Sequence, residues 1–276
     1  MNMLYQTIGI TKQAVQQHQV RQCIFESNMV ILLAEFESLR KSQPGCGLEK
    51  AYYTLQPKFI GRDNFIEVFR TLGYKINKKI NYHRTTYSVP SNYPNLITGI
   101  LVNSPSMVWQ SDITYIKIGD NFYYAVFIID VYTKKIVGYS VSDNMRAEAN
   151  VKAFNMALVE HKAPKIHHSD HGSQYIYSKY IELLKENKCK ISMSKSAQEN
   201  AYAERINRTI KEEFIIPMYI KDFKELQTKM KEIVWYYNNK RIHLNLKRLT
   251  PVEFEQKWKN REINMEFYIF ENEIKN

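Results

Sequence analysis

The sequence predicts an α/β domain with a mixed five-stranded sheet, preceded by a helical region and followed by a small helical tail. Two observations support this. From Trp109 onward, the apolar residues change from a helical period to the alternating and continuous patterns of strands. Short turns then separate three strands, after which helices and strands alternate. The first strands are therefore expected to pair antiparallel and the later ones parallel.

The predicted core has a definite order of elements. Three strands come first, at Asp112–Ile118, Phe122–Val131 and Ile136–Val141. Helices at about 146–160, 174–187 and 200–214 then alternate with short strands at 165–169 and 190–193. This order is that of a ribonuclease-H-like core.

We predict four segments along the chain. They are a helical region with a helix-turn-helix-like segment at 1–87, a linker at 88–107, an α/β core at 108–215 and a C-terminal helical extension at 216–276. The basic residues of the first segment indicate DNA binding, and the acids of the third indicate catalysis.

The first of these segments offers two candidates for a helix-turn-helix. The first is a turn at Gly9 and Ile10 followed by a short polar helix with Thr11 as its N-cap, although a plain short surface helix is the favoured interpretation. A separate amphipathic helix is predicted over 26–41. Helices at 48–55 and about 63–72, the second ending at Gly73, make the better candidate. Plain helical packing explains that pair equally well.

The charge of the chain points to a polyanionic partner. There are 39 Lys and Arg against 28 Asp and Glu, a net charge of +11. Such a surface gains affinity by releasing counterions from phosphates, although a basic surface without a specific partner fits the charge as well. The run from Lys75 to Arg84 mixes bases with apolar and aromatic residues. Its Lys75, Lys78, Lys79 and Arg84 are predicted to follow a DNA backbone, the alternative being a solvated face.

Cysteine usage and hydropathy indicate a location in the cytoplasm. The three cysteines, Cys23, Cys46 and Cys189, are widely spaced and predict neither a disulfide framework nor a Cys-x-x-Cys zinc site. No apolar run approaches the roughly 20 residues of a membrane helix, and the N-terminus does not resemble an export signal. We expect a cytoplasmic protein with access to nucleic acid.

Three acids are the candidate catalytic residues. Asp112 lies within the first strand on a face with apolar residues, where an unpaired charge is costly. Asp170 directly follows a strand, and Glu204 lies in the first turns of the next helix. Carboxylates from three elements can hold hard divalent cations, so we predict a site for Mg²⁺ or Mn²⁺ with two ions.

The helix that carries Glu204 also carries bases. Glu204, Arg208 and Lys211 share a face beside the predicted core stripe of Ala203, Ile206, Ile210 and Phe214. Arg208 and Lys211 are therefore predicted to bind phosphates at the acids. A surface pair between Glu204 and Arg208 is the simpler alternative.

Two other interpretations of the polar residues are weaker. Zinc could be bound by His161, His167, His168 and His171, but adjacent histidines on a strand point to opposite faces. Asp130 ends the second strand and is interpreted as a turn residue.

Several motifs together resemble the DDE transposases with an integrase core, specifically those of the IS-three group of bacterial insertion sequences. The matching stretches are Trp109–Tyr115, Ile129–Asp130, His168–Tyr175, Ser192–Ser194, Asn200–Glu213, Tyr237–His243 and Thr250–Pro251. The resemblance covers about 105–255.

This resemblance implies a function and a catalytic triad. Asp112, Asp170 and Glu204 would be the metal-binding acids, and the reaction would be DNA cleavage and strand transfer at the ends of the element. Arg205, Arg241 and His243 lie within the matching motifs and are predicted to contact DNA. Expected partners are double-stranded DNA, further copies of the chain and an upstream-frame DNA-binding protein. The resemblance also implies a location in the bacterial cytoplasm, at the nucleoid.

The chain departs from the family pattern before the third acid. Between Asp170 and Glu204 there are 33 residues, two fewer than usual. Glu199 is the substitute third acid if the helix is shifted in register. The alternative functions are a DNA-binding remnant without catalysis and a ribonuclease-H-like nuclease that hydrolyses without joining.

Overall fold

The computed structural model describes residues 9, 11–76, 93–194 and 196–269. Their contacts define two compact units, Met1–Lys79 and Ile80–Asn276. The division into four segments stays a prediction.

The first unit begins with one long helix, α1, at Lys12–Ser42. Its N-cap is Thr11, whose Oγ1 accepts a hydrogen bond from the Ala14 amide at 3.1 Å. The prediction of a short polar helix followed by a separate helix over 26–41 was wrong. The chain has neither glycine nor proline between Lys12 and Ser42, so nothing interrupts the backbone hydrogen bonds.

Two short helices follow in the described part of this unit, α2 at Leu48–Leu55 and α3 at Arg62–Thr71. Their existence and approximate ends confirm the predicted helix pair. A stack of aromatic rings holds the unit together, with the Phe69 centroid 4.3 Å from that of Phe65 and 4.5 Å from that of Phe36. The DNA-binding role of this pair stays a prediction.

The second unit is built on a mixed five-stranded sheet, as predicted. Its strands are β2 (Val108–Ile118), β3 (Asn121–Asp130), β4 (Ile136–Ser142), β5 (Ile166–Ser169) and β6 (Lys190–Met193). They lie in the order β4-β3-β2-β5-β6. The β2–β3 and β3–β4 pairs are antiparallel, and the β2–β5 and β5–β6 pairs are parallel. The topology is that of a ribonuclease-H-like core.

Helices cover both faces of the sheet. They are α4 (Glu148–Glu160), α5 (Ser178–Glu186), α6 (Ala201–Ile210) and α7 (Phe223–Asn239). A further helix, α8 (Pro251–Lys259), contributes Phe254 to a separate cluster. One hydrophobic cluster joins α6 and α7 to one face, and another joins α4 and α5 to the other. The helix α6 continues through a π-helical turn at Lys211–Ile215. Its predicted stripe is confirmed, since Ala203, Ile206, Ile210 and Phe214 are all buried.

The described part of the predicted linker is packed into this second unit. The short strand β1 (Leu101–Val102) pairs with β7 (Phe267–Tyr268), and Ile97 and Val102 are fully buried in a cluster with Phe254. Residues 88–92 of that linker lie outside the described residues. The stretch from 93 to 107 is therefore part of a folded unit.

None of the helices that the structure describes is long and apolar enough to cross a membrane.

Gly138 lies where β4 approaches α4 most closely. A Cβ added there would overlap the backbone oxygen of Ala153 and lie 3.0 Å from the Cβ of Ala157. Because backbone cannot move aside cheaply, we expect Gly138→Ala to destabilise the protein by about 1–3 kcal/mol. Thermal melts would then show a midpoint lower by roughly 2–12 °C.

Gly61→Ala is the matched control, because a Cβ there meets nothing within 4 Å and its φ of −75° suits any residue. Equal melting temperatures for the two variants would contradict the packing argument.

Candidate active site

The sheet places Asp112 and Asp170 side by side. In the parallel pair, Gln110 of β2 is opposite His168 of β5, and each acid lies two residues further along its chain. Asp170 directly follows the end of β5 at Ser169. Asp170 therefore lies at the carboxyl end of β5, where α/β sheets commonly place ligand chemistry, and Asp112 lies level with it inside β2.

The carboxylate of Asp112 is fixed from two sides. Its Oδ1 accepts from the backbone amide of Ile113 at 2.9 Å, and its Oδ2 accepts from Asn207 Nδ2 at 2.8 Å. Burial, together with the charges of Asp170 and Glu204, raises the pKa of Asp112 to about 8. The three predicted acids thus repel one another electrostatically.

Asp170 is held by the loop that follows it. Its Oδ1 accepts from the Gly172 amide at 3.0 Å, and a side chain at Gly172 would press on that same oxygen. The loop is also tied to β2, because the hydroxyls of Tyr175 and Ser111 are 2.9 Å apart. Burial raises the pKa of Asp170, and the Gly172 hydrogen bond opposes that shift.

Glu204 lies exposed on the first turn of α6, one turn before Asn207. Residues three apart share a helix face, so the bond from Asn207 to Asp112 brings the face of Glu204 toward β2. Burial and the charge of Asp170 raise the pKa of Glu204, while Arg208 lowers it. Glu199 lies in the 3₁₀ turn Ala197–Asn200, and its charge acts on His168. Glu204 is therefore the better candidate for the third acid.

The chemistry of these acids fits a hard divalent cation. All three offer oxygen ligands, and positive charge would relieve the repulsion that raises the pKa of Asp112. In the described part of the chain, no three His, Cys, Asp or Glu side chains stand close enough to hold a metal ion together. The nearness of the three acids is therefore indicated by the effect of their charges on each other's pKa.

Two of the four histidines considered for zinc, His167 and His168, are engaged in structural hydrogen bonds. His167 Nε2 lies 2.9 Å from the Tyr180 hydroxyl, and His168 Nδ1 lies 2.8 Å from the Ser192 hydroxyl. Burial lowers the pKa of His167 to about 3 and that of His168 to about 4, so both are neutral. Both rings are therefore held by partners within the fold, and the zinc alternative stays a prediction.

Asp130 organises the turn after β3, as its position at the end of that strand predicted. Its Oδ1 accepts from the amides of Tyr132 and Thr133, and its Oδ2 accepts from the Ser106 amide and the Trp109 indole. These bonds occupy both oxygens of the buried carboxylate. Asp130 is therefore a structural residue beside the site.

The predicted DNA-binding bases fall into separate places. Arg205 and Arg208 are exposed on α6, and Lys211 is half-buried near enough to Asp112 for that charge to raise its pKa against the larger effect of burial. Lys75 is exposed in the first unit. Lys78, Lys79 and Arg84 lie outside the described residues. The roles of all these bases stay predictions.

Arg241 is in a different environment from those bases. It is 9% exposed, and its Nε and NH2 donate to the two carboxylate oxygens of Glu213 at 2.8 and 2.7 Å. Its NH1 lies 3.1 Å from His243 Nε2. These contacts connect the π-helical turn after α6 with the chain that follows α7, which is the arrangement of a structural brace.

Three polar residues of the site had no role assigned from sequence: Gln110, Asn200 and Asn207. For two of them, the spacing along the chain to a predicted acid could have indicated a place in the site. Gln110 is two residues before Asp112 and so shares its face of the strand, and Asn207 is three residues after Glu204 and so shares its face of the helix.

Stability should depend on pH through Asp112. Its pKa of about 8 exceeds the ordinary 3.8, so the folded chain holds a proton that the unfolded chain releases between these values. The stabilisation that this proton gives the folded chain is complete below about pH 4 and is lost as the pH rises through 8. We expect the metal-free protein to lose melting temperature from pH 5 to 8 more steeply than Asp112→Asn. Asp120→Asn, at an exposed turn, is the control, and parallel curves for wild type and Asp112→Asn would contradict the shift.

Comparisons with known proteins define the class of this second unit. Two models of the integrase core domain match, one over residues 102–198 and the other over 186–251. The catalytic core domain of HTLV-2 integrase is a similar solved structure, with a TM-score of 0.46 and 19% identity over 55% of this chain and 97% of that chain.

Relatives in sequence identify the family. The transposase for insertion sequence element IS904 of Lactococcus lactis is 37% identical over 169 residues, 59% of this chain and 67% of the relative. An uncharacterised 31 kDa protein of insertion element IS600 of Shigella sonnei is 31% identical over 208 residues, 72% of this chain and 76% of the relative. The chain belongs to the integrase-core transposases of bacterial insertion sequences. It is thus a polynucleotidyl transferase acting on insertion-sequence DNA, in a family that uses divalent metals.

Proposed function

We propose that Asp112, Asp170 and Glu204 are the catalytic acids of this transposase, and that together they bind Mg²⁺ or Mn²⁺, with two ions in the working site. The hydrogen bond from Asn207 to Asp112 is the observation that carries the proposal. It holds the helix face of Glu204 against the strand that carries the first acid. When bound, divalent cations favour the deprotonated attacking oxygen and neutralise the leaving oxygen.

The residues around the acids have distinct tasks in this proposal. Asn207 and the Ile113 amide orient the carboxylate of Asp112, and the Gly172 amide orients that of Asp170. Arg208 and Lys211 hold the scissile phosphate and its neighbour by charge, with Arg205 further along the strand. Each reaction is an in-line displacement, in which the attacking oxygen bonds to phosphorus and the opposite P–O bond breaks.

The reaction sequence has two such displacements. Water first cleaves the phosphodiester at the end of the element and frees a 3′-hydroxyl. That hydroxyl then attacks a phosphodiester of the target and joins the element to it. Two ends must meet for integration, so we propose that several copies of the chain assemble on DNA. The α2–α3 pair is the proposed helix-turn-helix that recognises the ends. An upstream-frame partner and a location at the nucleoid stay predictions.

A strand-transfer assay tests the proposal. Purified protein is mixed with Mg²⁺, a plasmid target and a labelled duplex that carries the terminal sequence flanking this gene. Joined products are expected. Cleavage without joining would instead support a nuclease, and binding without cleavage would support a DNA-binding remnant.

A further inference from the structure

The start of α6 is secured by the strand that carries Asp112. The helix has no cap of its own, since its N-cap residue, Asn200, makes no capping hydrogen bond. Gln110 of β2 supplies one instead. Its Oε1 accepts from the amides of Tyr202 at 3.1 Å and Ala203 at 3.3 Å. These are the second and third helical amides, which a local cap normally satisfies.

Two further bonds extend this connection along β2. Asn200 Nδ2 donates to the backbone oxygen of Ser111 at 2.9 Å, and Asn207 Nδ2 donates to Asp112 at 2.8 Å. Three consecutive residues of β2 therefore bind α6, and all the groups involved are buried or nearly so. A shift of the helix by one residue would break all of these bonds together.

We propose that Gln110 is a positioning residue that sets the register of α6 against β2 and thereby brings Glu204 to the other two acids. This rests on the proposed function of the acids. It explains how the chain accommodates the short interval before Glu204. The position of the helix depends on bonds to β2, so the length of the preceding connection does not determine where Glu204 lies.

The test compares Gln110→Met with Gln110→Glu. Methionine is similar in length but cannot accept the two amides, whereas glutamate keeps an oxygen in the same place, at a helix end that favours a carboxylate. Thr250→Ala is the matched control, because it removes the side-chain cap of a different helix, α8. In the wild type, Thr250 Oγ1 accepts from the Glu253 amide at 3.2 Å. The readouts are Mn²⁺ affinity, from the electron paramagnetic resonance signal of free Mn²⁺, affinity for element-end DNA and strand-transfer rate.

We expect Gln110→Met to weaken Mn²⁺ binding by about 10- to 100-fold, the usual effect of losing a residue that orients metal ligands. Its strand-transfer rate should fall with it, while DNA affinity stays within about twofold. Gln110→Glu and Thr250→Ala should bind Mn²⁺ like the wild type. Wild-type Mn²⁺ affinity in Gln110→Met, or an equal loss in Thr250→Ala, would overturn the inference.

Two further outcomes are decisive. If Gln110→Met does not fold, Gln110→Glu decides: a folded variant with wild-type Mn²⁺ affinity supports the inference, and a folded variant without it refutes the inference. Failure of the proposed function looks different, since the wild type itself would then bind no Mn²⁺ and join no DNA.

Discussion

Replacing Glu204 by glutamine is expected to abolish strand transfer while DNA binding remains. The variant keeps the size of the side chain and removes the carboxylate that we propose binds metal together with Asp112 and Asp170. Loss of metal-assisted stabilisation of the transition state amounts to several kcal/mol, which corresponds to on the order of 10³-fold or more in rate. Strand transfer with a labelled element end gives the rate, and a filter-binding or anisotropy titration gives the affinity.

Glu199→Gln is the matched control, because Glu199 precedes the same helix and its charge acts on His168. It should retain activity within a fewfold of the wild type. Full activity in Glu204→Gln would remove Glu204 from the site. An inactive but folded Glu199→Gln would instead make Glu199 the third acid.

Replacing Arg241 by methionine is expected to lower the stability of the protein more than either Gly138→Ala or Lys229→Met. The side chains of Arg241 and Glu213 are only 10% and 16% exposed, and the variant leaves Glu213 without its bidentate partner. Breaking a pair of this kind costs about 3–5 kcal/mol. For a unit of this size, the melting temperature should fall by roughly 6–20 °C.

The control is Lys229→Met, which breaks a surface pair with Glu232 whose side chains are 39% and 60% exposed. That change should cost less than about 1 kcal/mol. Affinity for DNA, measured below the melting transition, should be unchanged in Arg241→Met. A variant with normal melting temperature and weakened DNA binding would contradict the brace and support direct phosphate binding by Arg241.

Local sequence patterns predicted most of the core. The continuous apolar run in β3 and the alternation in β2 each reflect burial of a strand's own side chains. The helices that flank the sheet follow from stripes such as Ala203, Ile206, Ile210 and Phe214. The strand and helix boundaries were correct to a few residues for the same reason. The long α1 was missed because its polar first half has no apolar stripe, although nothing in the sequence interrupts it.

The candidate site was partly predictable. Asp112 and Asp170 stand out because strand pattern places one within a strand and the other at a strand end. Asn207 could have been found from its spacing to Glu204. Gln110 could likewise have been found as a neighbour of Asp112 on its strand. The bonding partners of Asn207, Gln110 and Arg241 could not be found, because they are 95, 92 and 28 residues away along the chain.

The sequence by itself determined the class of fold and the family, and it proposed Asp112 and Asp170 as site acids, because each depends on local periodicity or on short motifs. Only the tertiary structure favours Glu204 over Glu199 as the proposed third acid, and only it gave Gln110 and Arg241 their contacts. The same physical reason applies to the position of Glu204 and to the contacts of Gln110 and Arg241. The position of a helix on a sheet depends on hydrogen bonds and ion pairs between distant segments, and those bonds exist only once the core has brought the segments together.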